Sequence, residues 1–195
     1  MLTILEVDDF WSPPDPEAQR NLAAKRRALE PRDDLRYVFL QADHQRYTEA
    51  QGGVIVEHVI APTLPGSDRP AVLLRPLTEL IQLHRPSAIL CRATIVKLLA
   101  LGLASFRLAP RPALIGRWRG VPTHERKVWK LTPRARGFDA VLVANHAEAE
   151  AARELGLARL YLVPVDDFAD EVERIREISE LVRTGGRVRE GLHER

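Results

Sequence analysis

Only one cysteine, Cys91, occurs in the 195 residues. An intramolecular disulfide is therefore impossible, and so is a cysteine-rich zinc site. The six histidines are scattered, with no close pair, which argues against a histidine metal centre as well. Charge of one sign is also scarce. The formal net charge is +2, so no overall field points to nucleic acid. The apolar opening lacks the basic start of a secretory signal, and Asp8 and Asp9 end it at once. Long apolar runs are missing too. The most apolar stretch, residues 93–108, is too short to span a bilayer and carries Lys97 and Arg107, so it is expected to be a buried helix. These absences point to a cytoplasmic globular protein.

What is present is regular punctuation. Leu2–Val7 is a short apolar run and reads as a strand. A proline-containing loop follows. Asp15 is placed to cap the next helix with Pro16 at its first position. That helix sets Ala18, Leu22 and Leu29 on one face, with Arg20, Lys25, Arg26 and Arg27 expected largely off it. Residues 35–40 read as a second strand, residues 41–53 as a polar loop and Val54–Ile60 as a third strand. A helix over residues 72–84, started or interrupted by Pro76, leads to the strand Ala88–Cys91. Further strands are expected over residues 113–118, 138–144 and 160–163, with a broken helix over 121–136 and a capped one over 146–155. Val172, Ile175, Ile178, Leu181 and Val182 form one face of a last helix over 169–184, ahead of Gly185, Gly186 and a charged tail.

Strands alternate with helices, and the strands are apolar throughout rather than in-and-out alternating. Strands buried on both faces look like this. The expectation is one doubly wound α/β domain with a mostly parallel sheet and helices on both faces, over residues 1–167. An amphipathic helix and tail follow over 168–195. Ligands of such sheets bind beyond the C-terminal ends of the strands, where the strand order reverses.

Two segments carry a family likeness. Residues 77–90 (LTELIQLHRPSAIL) combine a leucine-rich helix, an Arg-Pro turn and a short apolar strand. Residues 138–165 (FDAVLVANHAEAEAARELGLARLYLVPV) run from an acid through an apolar strand, a polar cap and a helix ending Glu-Leu-Gly to a strand ending in proline. In that order the pieces resemble the N-terminal, acceptor-side domain of family 4-like glycosyltransferases of the GT-B fold. Loosely, the likeness covers residues 1–167. The departures are specific. The first loop, Ser12-Pro13-Pro14-Asp15-Pro16, lacks the family's glycine pair. Arg119-Gly120 stands where the family often has His-Gly, and Pro164-Val165-Asp166 replaces Pro-Asn-Gly. The paired glutamates of the family's second domain have no counterpart. Glu49 and Glu57 share their spacing but are expected in a loop and a strand.

The resemblance implies sugar transfer from a nucleotide sugar only together with a donor domain or a partner chain, and without a metal in most members. A homo-oligomer is the other partnership considered. The alternative is a non-catalytic binding or regulatory module descended from the same fold. Asp9, Arg92, Arg119, Gly120 and Asn145 are the cleft candidates, since they follow or end strands at the ligand-bearing edge. Asn145 is read chiefly as a helix cap, and Asp9 also as a solvated loop acid. The densest basic stretch holds Arg117, Arg126, Lys127, Lys130 and Arg134, with Trp118 and Trp129 among them. It reads either as contact with anionic lipid or a phosphate-bearing acceptor, or as a solvated helix face. No stacking platform for nucleic acid accompanies it.

Overall fold

The computed structural model describes residues 1–7, 16–43, 45–60, 74–91, 110–118, 138–154, 156–164 and 167–185. Eight strands, β1 (Leu2–Val7), β2 (Leu35–Asp43), β3 (Tyr47–Gln51), β4 (Val54–Ile60), β5 (Ala88–Cys91), β6 (Ala113–Arg117), β7 (Ala140–Val143) and β8 (Leu160–Leu162), form one sheet in the order β3-β4-β2-β1-β5-β6-β7-β8. Every neighbouring pair is parallel except β3 with β4. Four helices are seen among the described residues: α1 (Pro16–Ala28), α2 (Leu74–His84), α3 (His146–Glu154) and α4 (Phe168–Arg183).

From β1 the chain steps outward through β2 to β4, then returns past β1 and continues the other way through β5, β6, β7 and β8. Crossovers of one hand that leave in opposite directions must put their helices on opposite faces. That is observed. Leu77, Leu80 and Ile81 of α2 and Ala149 and Ala152 of α3 pack with Leu5, Val38, Ile89 and Val141. Leu22 of α1 and Val172, Ile175 and Ile178 of α4 pack with Ile4, Phe39, Leu90, Ile115 and Leu142 on the other face. All six residues of β1 are buried, as a central strand covered on both sides requires.

Three sequence readings need correction. The polar loop expected over residues 41–53 is largely strand: β2 runs on to Asp43, and β3 pairs back on β4 as a hairpin. Gly52 and Gly53 make its two-residue turn, with Gly52 at φ 59, where only glycine sits without strain. The second correction concerns α1. Lys25 is fully buried rather than off the apolar face. Leu22, Lys25 and Leu29 are spaced three and four apart, which places them on one helical stripe. Lastly, Leu181 of α4 is 37% exposed, because the packed stripe runs through Val172, Ile175 and Ile178 and leaves Leu181 at its margin. The helices expected over residues 93–108 and 121–136 lie outside the described residues.

Candidate functional site

The strand order reverses between β1 and β5. Register locates what lies there. Glu6 is level with Leu90 of β5, and Leu90 with Ile115 of β6, so Glu6 sits one residue below the C-terminal edge. Arg117, two residues beyond Ile115, ends β6 on the same face and about 7 Å nearer that edge. Both belong to the face covered by α1 and α4.

A charge here has no water, so it needs partners from the helices. Lys25 of α1 supplies them. Its ammonium donates to Glu6, to Tyr37 Oη at 2.6 Å and to Glu171 Oε1 at 3.1 Å. An ammonium has three donors, and all three are used. The Tyr37 hydroxyl donates to Glu6 Oε2. Arg117 Nη1 lies 3.7 Å from Glu171 Oε2. The ring of Phe168 stands 5.4 Å from the ammonium, a distance at which its π electrons contribute attraction. Two cations thus face two carboxylates. Among the described residues these charges balance, and Glu6, Lys25, Tyr37 and Glu171 are each no more than 1% exposed. Because the cations already neutralise both carboxylates, a divalent metal would have to displace Lys25 to bind there. The arrangement supplies a rigid, polarised base beneath the switch point rather than a free acid or base.

Helix ends complete the edge. Asn145 Oδ1 accepts from Glu148 N at 2.9 Å, while Glu148 Oε2 accepts from Ala144 N at 2.7 Å. Asn145 therefore caps α3, as its position in the sequence indicates. Asp167 caps α4 by accepting from Asp170 N at 3.0 Å. Trp118 follows Arg117, half-buried against the core of the opposite face.

Of the candidates from the sequence, Asn145 and Arg117 are described. Arg117 is a correction: at 6% exposure it is a buried member of the cluster and presents no surface to an anion. Side-chain alternation along β6 turns it under α4, where Glu171 receives it. Asp9, Arg92, Arg119, Gly120, Arg126, Lys127, Lys130 and Arg134 lie outside the described residues.

Glu6, Lys25, Tyr37 and Glu171 were not singled out from the sequence. One signal was there: a glutamate inside the apolar run LTILEV has to be paired if the strand is buried on both faces. A second polar group, on β2 to β4, was also missed. His58 Nδ1 lies 3.1 Å from Asp43 Oδ2, and its ring stacks on Tyr47 at 3.9 Å. On the other face of β4, Glu57 accepts from Thr48 Oγ1 at 2.9 Å and pairs with His84 Nε2 at 2.8 Å. These contacts tie the hairpin to the sheet and to α2.

No protein-family model matches the chain, and no curated protein matches it.

Proposed function

We propose that this chain is an acceptor-side domain of a GT-B-type glycosyltransferase, holding the molecule that receives a sugar while a donor domain, in the same protein or a partner chain, brings the nucleotide sugar. The observation that carries this reading is the reversal of strand order beside β1, directly above the Glu6–Lys25–Arg117–Glu171 base. Open sheets place ligands at that point. The resemblance over residues 1–167 supplies the ligand class. In this reading the chain's own residues position and orient. The paired charges tie α1 and α4 to β1 and β6 beneath the switch point, a fixed floor for an acceptor bound there. Arg92, Arg119, Gly120, Asp9 and Asn145 are the proposed contacts from those loops. A cytoplasmic setting agrees with a single cysteine. Peripheral contact with an anionic membrane or a phosphate-bearing acceptor is assigned to Arg126, Lys127, Lys130 and Arg134. Unchanged flotation with anionic vesicles after charge reversal of Arg126, Lys127 and Lys130 removes the membrane form.

The test is a titration of the whole chain, followed by amide NMR, with a panel of glycans and phosphorylated glycans and, separately, nucleotide sugars. A glycan-class ligand is expected to shift Val7, Cys91, Trp118 and Ala144, with no sugar transfer by the chain alone. Turnover of a nucleotide sugar by the chain alone, or a panel with no binder at that edge, overturns the reading. The missing glycine pair and the Arg119-Gly120 exchange favour one other reading, a non-catalytic binding module on the same fold. Acceptor binding without transfer when donor domains are supplied selects it.

A further inference from the structure

The opposite edge of the sheet, at the N-terminal ends of the strands, contains a cleft of about 930 Å³. Among the described residues four arginines line it, Arg85, Arg111, Arg176 and Arg183, against one lining acid, Glu180. They arrive from three directions. Arg85 follows α2, Arg111 precedes β6, and Arg176 and Arg183 are two turns apart on one face of α4.

Most of these side chains are held from behind. Both terminal nitrogens of Arg111 donate to Asp139, at 2.8 and 2.7 Å, and Asp139 also accepts from Leu114 N at 2.9 Å. Asp139 is buried, whereas the Arg111 side chain is 43% exposed. Arg176 Nη2 donates to Asp34 at 2.8 Å, and Arg183 donates to Glu180. Arg85 differs. It has no acidic partner among the described residues, and its backbone lies at φ 44. A side chain in that region costs about 1 kcal/mol, and helices that end this way usually carry glycine there. The cation is thus kept at a position where its backbone is strained.

The charges do not cancel. α2 and α4 both end at the cleft, and each helix end contributes about half a negative charge. Asp139 and Glu180 each answer one guanidinium, and Asp34 is shared between Arg176 and Arg32. Among the described residues, Arg85 remains without an acid. Exposed N–H groups of pre-positioned forks suit an anion with several oxygens. The volume is that of a small-molecule site.

We propose that this cleft binds a phosphate-bearing ligand, at a site separate from the switch-point edge. The phosphate belongs to a free small molecule or to a lipid headgroup, and the experiment distinguishes them. The full-length chain is titrated calorimetrically with pyrophosphate, and in a second arm floated with vesicles containing phosphatidate. The comparison protein carries Arg85→Gly and Arg183→Gln. Glycine accepts φ 44 and Arg183 is exposed, so the unfolding midpoint is expected to stay within a few degrees. Saturable binding in either arm that weakens at least tenfold in the double variant, with amide shifts at Ser87, Arg111 and Ser179, supports the site and names the phosphate source. Equal binding by the two proteins, or none in both arms, overturns it.

Discussion

At the scale of single residues, the decisive quantity is the cost of an unpaired buried charge. Lys25 satisfies Glu6 and Glu171 at once, both inaccessible to water. Removing one member of such a cluster costs about 3–5 kcal/mol, whereas removing a matched pair often costs little. Lys25→Met is therefore expected to lower urea stability by about that amount. Adding Glu6→Leu is expected to restore most of it, since Glu171 keeps Arg117. Equal losses in the single and double variants would show that the pairing is not what matters. Asp34 behaves differently because it is exposed. The hydrogen bond from Arg32 holds its carboxyl below the usual range, burial opposes the shift, and the nearby Arg176 lowers it further. A lowered folded-state value means stability that is present above the unfolded value near 3.8 and is lost as pH falls through the folded one. Wild type and Asp34→Asn should therefore differ in unfolding midpoint at neutral pH and converge in strong acid. High salt should shrink the gap. Legibility at this scale was poor. Lys25 reads as one more surface cation until its spacing from Leu22 and Leu29 is counted, and nothing local ties it to Glu171, 146 positions away.

At the scale of elements, apolar runs and caps were readable and polar strands were not. Val54–Ile60 and Ala88–Cys91 have the bounds their sequences indicate, because strands buried on both faces are mostly apolar, and the two polar residues of β4, Glu57 and His58, are each paired. β3 is the contrary case. Tyr47, Thr48, Glu49 and Ala50 carry no strand-like apolar pattern, since an edge strand is only partly covered. Its surviving signal was the Gly52-Gly53 pair. The turn is docked as well as tight. Gly53 N donates to Leu29 O at 2.8 Å at the end of α1, and a Cβ on Gly53 would lie 2.6 Å from the carbonyl oxygens of both Leu29 and Glu30. These are backbone atoms and cannot rotate away. Gly53→Ala is expected to destabilise by roughly 1–3 kcal/mol, and to shift the amide resonances of Leu29 and Glu30. A neutral result would show that the hairpin floats free of α1.

At the scale of the whole molecule, α4 is part of the core and not an appendage. Val172, Ile175 and Ile178 are at most 2% exposed against the sheet, and Glu171 completes the charge cluster. A chain cut after Asp167 would bare that face and leave Lys25 and Arg117 short of a carboxylate. It is expected to lose cooperative unfolding and to expose apolar surface to a hydrophobic dye. In the full chain, α4 amides should exchange as slowly as those of β1 and β5. Cooperative unfolding of the cut chain would contradict this. No described helix is long and apolar enough to cross a membrane.

Most of the strands and the four described helices were legible in the sequence alone, β3 excepted, because burial on two faces favours apolar runs and turns demand proline, glycine and capping groups. The reversal of strand order between β1 and β5, and the meeting of Glu6, Lys25, Tyr37, Arg117 and Glu171, were decided only by tertiary structure. The physical reason is range. Propensity and periodicity act over one or two turns, whereas a buried charge is satisfied by whichever distant segment the crossovers bring alongside it.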